Sequence, residues 1–134
     1  MFFRFLSLAA VALTLQSAPV SAEFRIAFDG SGLQRCTTGR PAVVNSPAFR
    51  ISGLPAGTKA VRFRLKDLDV PHYDHGGGWV EMTGDGVVPP GKFRYKSPCP
   101  PGRVHQYEWT AVAKTKLGGG KTLGTAKAQR KYPE

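Results

Sequence analysis

The chain has 134 residues and carries 19 Lys and Arg against 9 Asp and Glu, a formal net charge of +10. That length suits one domain, and its N-terminal apolar run, with no second run of about 18 residues after it, is too short for a helical membrane span. The charge favours anionic partners, whether phosphate head groups, nucleic acid or acidic glycans, and says nothing of the fold.

Residues 1–22 read as a signal peptide. Arg4 gives a positive start, Phe5 to Leu15 an apolar run, and Val20-Ser21-Ala22 a small-residue cleavage site. An uncleaved N-terminal anchor is the other reading. Cleavage leaves residues 23–134 as a single domain, periplasmic or secreted, with a modest core. In an oxidising compartment Cys36 and Cys99 are expected to form a disulfide, worth roughly 4 kcal/mol for a loop of that length. Two buried free thiols are the alternative.

From residue 23 the elements follow in order. In Glu23 to Phe28, Phe24, Ile26 and Phe28 alternate onto one face of a predicted strand. Asp29-Gly30-Ser31-Gly32 is a turn, and residues 33–45 lack periodicity and are expected to be irregular. A short strand follows over Ala48 to Ser52. In the clearest signal, Val61, Phe63 and Leu65 alternate with Arg62, Arg64 and Lys66, which predicts a strand with one buried and one basic face. Continuing the period puts Asp67 on the apolar face, and Asp69 with it if the strand persists. A carboxylate there is costly unless something satisfies it.

Trp79 to Thr83 is a further short strand, Val87 to Gly91 a loop, and Lys92 to Tyr95 a brief strand. Ser97 to Gly102 is too rich in proline and glycine for a ladder. His105 to Ala113 is a long strand with His105, Tyr107, Trp109, Ala111 and Ala113 on one face. Leu117 to Lys121 is a turn, and Thr122 to Tyr132 a last basic strand. No segment sustains a 3.6-residue period, so the fold class is all-β, a small sandwich or barrel with little helix.

The stretch from Lys66 to Trp79 holds three carboxylates, two imidazoles, a phenol and an indole, and is the expected centre of a ligand pocket. His72, Asp74 and His75 form a compact cluster that, with His105, offers metal ligands. Zinc requires three or four converging groups, so the reading is a polar lid with no metal and no cofactor. Gly76, Gly77 and Gly78 are expected to let this lid bend.

The ordered stretches SPAFRISGLPAGTKAV, KDLDVP, GGGWV, SPCPPGRVHQYEWTAVA and AQRKYPE resemble the phosphatidylethanolamine-binding protein (PEBP) family, in its bacterial Raf-kinase-inhibitor-like branch, as a shortened member. The resemblance spans most of residues 46–132. It implies a β-sandwich with a small anion-binding pocket at one end of a sheet. It places Asp67 and Asp69 at the aspartates of an Asp-Pro-Asp-x-Pro motif, and His105 and Tyr107 at the ends of a His-Arg-Tyr motif. Pro100 and Pro101 match a loop that shapes the pocket mouth. Leu68 and Gln106 depart from those motifs, and Glu81 stands where the family has a histidine. Glu81 either enters the pocket, where its charge opposes an anion, or faces solvent.

Strand phase supports the same residues. An Asp bonded to a His fixes its tautomer, and an imidazole beside a phenol and backbone N–H groups can hold a phosphate or carboxylate. The ligand-binding set is therefore Asp67, Asp69, His105 and Tyr107, with Trp79 and Pro100 as walls and Glu81 as an open member. No serine stands in a nucleophile elbow, and Asp67 and Asp69 are too close for a glycosidase pair. The expected role is an exported, non-enzymatic protein that binds a small anion. The alternative is a polyanion-binding module using Lys114, Lys116, Lys121, Lys127, Arg130 and Lys131, or a protein-interaction or inhibitor module docking through the pocket rim, with no working ligand pocket. An anionic membrane surface suits these cations; nucleic acid suits them less, because interleaved aromatics are lacking.

Overall fold

A computed structural model describes residues 10–17 and 22–134. The signal-peptide reading of residues 1–22 falls largely outside them. Nine strands are described: β1 (Arg25–Phe28), β2 (Val43–Asn45), β3 (Phe49–Ser52), β4 (Ala60–Asp67), β5 (Gly77–Glu81), β6 (Gly86–Val88), β7 (Arg94–Lys96), β8 (His105–Lys116) and β9 (Gly119–Tyr132). No helix occurs among the described residues, and the fold is all-β.

The strands form three antiparallel sheets. One holds four strands in the order β5-β4-β8-β9, one holds β1-β3-β6, and one pairs β2 with β7. The four-stranded sheet is the platform. Strict alternation on β4 turns Val61, Phe63, Leu65 and Asp67 inward, and alternation on β8 does the same for Tyr107, Trp109, Ala111 and Ala113. The smaller sheets lay Ile26, Phe49, Ile51, Val88 and Tyr95 over this face. Aromatic rings fasten the layers: Phe49 lies 4.4 Å from Phe63 and 5.2 Å from Trp109, and Tyr95 lies 4.9 Å from Trp109. Each such pair adds roughly 0.5–1.5 kcal/mol beyond its buried area.

Three expectations are corrected here. Residues 33–45 are not wholly irregular, because Val43 to Asn45 pair with Arg94 to Lys96. Residues 86–88 form edge strand β6 rather than a loop, pairing with Phe49 to Ile51. Both strands have only three residues, too few to show a period. Gly77 and Gly78 are not hinges. They lie in β5, where a side chain on Gly77 would strike the Phe63 carbonyl and one on Gly78 the Phe93 ring. Of the triplet, only Gly76 has a positive φ, 78°.

Cys36 and Cys99 form a disulfide with Cα atoms 4.7 Å apart. It pins the segment after β1 to the loop before β8.

Candidate functional site

Asp67 is the last residue of β4 and stands directly opposite Tyr107 on β8. Its carboxylate is almost wholly consumed by local partners. Oδ2 lies 2.7 Å from His105 Nδ1, while Oδ1 accepts the Asp69 amide at 2.9 Å and the Val70 amide at 3.2 Å. The strand does not persist to Asp69. That residue is exposed, and its Oδ2 accepts the Gln106 amide at 2.8 Å. Leu68 donates its amide to the Gln106 carbonyl. The loop after β4 is thus stitched to the start of β8. The Asp67–His105 pair is buried, with side chains 6% and 9% exposed. The acceptors that would otherwise make Asp67 costly to bury are all used.

Tyr107 joins this pair to the rest of the site. Burial, and then the Asp67 charge, push its phenol well above the ordinary tyrosine value, so it remains a neutral donor. Three rings surround it: His75 edge-on at 5.6 Å, His105 at 6.3 Å and Tyr132 edge-on at 6.2 Å. On its other side Tyr107 opens onto a cleft of about 690 Å³, walled also by Phe28, Leu65, Tyr95, Arg130 and Tyr132. That volume suits a small ligand.

Arg35, Lys131 and two carboxylates, Asp29 and Glu134, also line this cleft, but the cation beside Tyr107 is Arg130. It lies on β9 directly opposite Tyr107, as Tyr132 lies opposite His105, and paired residues share a face. Its guanidinium sits 4.8 Å from the Phe28 ring, donates to the Phe28 carbonyl at 3.3 Å, and meets Glu134 at 3.1 Å. The Tyr132 hydroxyl accepts the Cys36 amide at 2.6 Å and donates to the Gln34 carbonyl at 3.1 Å. The disulfide-anchored segment therefore forms the far wall of the cleft.

Of the residues singled out in the sequence, Asp67, Asp69, His105 and Tyr107 converge, and Tyr107 alone among them lines the cleft. Trp79 is not a wall of it. Its register opposite Arg62 places it on the outer face of the sheet, with the Arg62 guanidinium 5.9 Å from its ring. Glu81 follows on the same outer face, exposed and opposite Ala60 at the far end of β4. It does not enter the pocket. Pro100 is fully buried, and Pro98, not Pro100, lines the cleft.

The lid imidazoles do not gather with His105. His72 is exposed, whereas His75 is buried with Nδ1 2.7 Å from the Lys96 carbonyl oxygen. Burial is the main influence on His75 and holds its pKa below the ordinary histidine value. Ligand atoms of Asp67, Asp69 and His105 do lie within 4.8 Å of one another. Asp67 Oδ1 and Oδ2 and Asp69 Oδ2 are already engaged with the Asp69, Val70, His105 and Gln106 groups named above.

The sequence assigns Arg130 only to the basic segment and Tyr132 only to the end of the last strand, and places neither in the pocket. They fall in phase with His105 and Tyr107 only once the β8–β9 register is known. That register shifts between Ala113 and Lys114 and again between Lys114 and Lys116, so counting back through the hairpin turn misplaces it.

No protein-family model matches the chain, and no curated protein does. Two solved structures share its architecture. One is a PEBP homologue from Chlamydia trachomatis, with a TM-score of 0.59 and 18% identity, covering 84% of this chain and 98% of that one. The other is Escherichia coli YbcL, described as a member of the mammalian PEBP family, with a TM-score of 0.53 and 18% identity, covering 83% of this chain and 98% of that one. The fold is PEBP-like. At this end of the PEBP-like sheet, the imidazole that reaches Tyr107 from the β4–β5 connection is His75; position 81, where the family motif carries a histidine, points away.

Proposed function

We propose that this is an exported binding protein, not an enzyme, that takes a small anionic ligand in the cleft beside Tyr107. The ligand chemistry is that of a phosphate or phosphomonoester, as free phosphate or as a lipid head group. The single observation that carries the reading is the cross-strand placement of Arg130 and Tyr107 on the wall of one aromatic cleft. A guanidinium supplies charge-assisted donors to phosphate oxygens, and the Tyr107 phenol stays uncharged beside it. The aromatic walls lower the local dielectric, which strengthens those bonds. The Asp67–His105 pair behind Tyr107 positions its strand. Export is supported by the signal-like residues 1–22 and fits the Cys36–Cys99 disulfide.

The test is an NMR titration of the protein with inorganic phosphate and with phosphoethanolamine. Tyr107 and Arg130 resonances are expected to shift with one or both, and the stronger response separates the two sources. Arg130→Gln should weaken binding roughly ten- to hundredfold, the range of a charged hydrogen bond worth about 1.5–3 kcal/mol. Glu134 competes for the same guanidinium from an exposed position. Glu134→Gln should therefore tighten binding by no more than about fivefold, as a surface pair of up to about 1 kcal/mol allows. Unshifted Tyr107 and Arg130 signals with both anions would sink the reading.

A further inference from the structure

The outer face of the four-stranded sheet is a second candidate surface, separate from the cleft. Among the described residues, no strand packs over it. Its side chains stay exposed or half-buried, apart from Ala60 and Glu108. Register places six cations on it: Arg62, Arg64 and Lys66 on β4, Lys114 on β8, and Lys127 and Lys131 on β9. Cations on adjacent strands sit on rows about 5 Å apart, and those two residues apart along a strand are about 7 Å apart. Three carboxylates oppose them. Asp74 pairs with Arg64 at 3.0 Å, Glu108 is held by Gln129 at 2.7 Å and lies 3.7 Å from Lys127, and Glu81 stands at the edge on β5. Among the described residues, Arg62, Lys66, Lys114 and Lys131 form no ion pair.

The neutral residues between the cations decide what this lattice fits. They are Gln106, Thr110, Thr122, Thr125 and Gln129, which offer hydroxyls and amides. The aromatic on this face is Trp79, half-buried at the edge against Arg62. A single-stranded nucleic acid needs successive stacking rings, which are missing. A bilayer needs exposed apolar side chains to bury, and among the described residues the face offers only Val112 and Trp79, both half-buried. A linear acidic polysaccharide needs spaced cations for its sulfates or carboxylates, neutral hydrogen-bonding groups for its hydroxyls, and an aromatic face for a sugar ring.

We propose that this outer face binds an anionic polysaccharide, at a site distinct from the small-anion cleft. The probes are heparin and polygalacturonate, with a twelve-residue oligo-dT and phosphatidylglycerol vesicles as rivals. At least one polysaccharide should bind, with affinity falling linearly on a log–log salt plot. The triple variant Arg62→Gln/Lys66→Gln/Lys114→Gln should lose about tenfold or more, with a shallower salt slope by about three. A control of equal charge change, Arg40→Gln/Lys92→Gln/Arg103→Gln, removes exposed cations from other surfaces and should lose less than about twofold. Equal losses in the two triples would overturn the proposal, as would oligo-dT or vesicles binding as tightly as the better polysaccharide. Each variant's fold is checked from its amide spectrum, so a loss of binding is not mistaken for unfolding. Phosphate titration of the same samples reports on the cleft separately.

Discussion

The two faces of the four-stranded sheet are made by the same strands and share almost nothing. Inward, β4 and β8 present Phe63, Leu65, Trp109 and Ala111 to a closed aromatic core, and the row ends at Asp67, Tyr107 and His105. Outward, the intervening residues present Arg62, Arg64, Lys66 and Lys114 to open space. One residue of phase separates a core position from a cation. The inner face gives stability and one shaped site; the outer face gives charge with little stability. The difference also shows why Asp67 is unusual. It is a carboxylate on the apolar side, and it is tolerated because its oxygens are filled by His105 and two loop amides.

The contrast should be greatest for Phe63 and its neighbour Arg64. Phe63→Ala empties a fully buried site and should cost about 3–5 kcal/mol in urea denaturation. Arg64→Ala breaks only an exposed pair with Asp74 and should cost less than about 1 kcal/mol. Similar losses would mean that the two faces are not distinct environments.

A smaller effect is expected at the end of the inner row. Asp67→Ala leaves the His105 ring N–H and the Asp69 and Val70 amides without their acceptor. It should cost about 1–3 kcal/mol and speed amide exchange at residues 69 and 70. Wild-type stability in this variant would show that the carboxylate organises nothing.

The smallest effect is a pH dependence at His75. Burial holds its folded pKa below 6.5, partly offset by the hydrogen bond to the Lys96 carbonyl and by the Asp67 charge. As pH falls below the unfolded value of about 6.5, the unfolded chain takes up a proton before the folded one. The stability linked to His75 is therefore present above that value and drains away as pH falls toward the folded pKa. Melting temperature should drop between pH 7 and pH 5 by more in the wild type than in His75→Gln. Equal drops would remove His75 as the cause.

Much of this is legible in the sequence. Period-two alternation identified β4 and β8 and their inner faces, and the same phase turned Asp67, His105 and Tyr107 inward; that they share one end of the sheet was implied only by the PEBP resemblance. It failed where strands were too short to show a period, at Val43 to Asn45 and Gly86 to Val88. It also failed where pairing partners decided a residue's side. Trp79 and Glu81 alternate correctly within β5, but only the Trp79–Arg62 register shows that their common face is the outer one. The glycine triplet looked flexible because composition does not reveal a ring such as Phe93 lying against the backbone.

The sequence by itself determined the all-β class and the two faces of the central strands, with an aspartate, a histidine and a tyrosine each on an inner face. These follow from a local rule, the alternation of side chains along an extended chain, which needs no knowledge of neighbours. Only the tertiary structure decided the cation opposite Tyr107, the outward placement of Trp79 and Glu81, and the cleft closed by the Cys36–Cys99 segment. Those depend on register and on contacts between residues about a hundred positions apart, such as Tyr132 with Gln34 and Cys36. A shift of one residue in pairing reverses every face, and the local pattern on one strand does not record it.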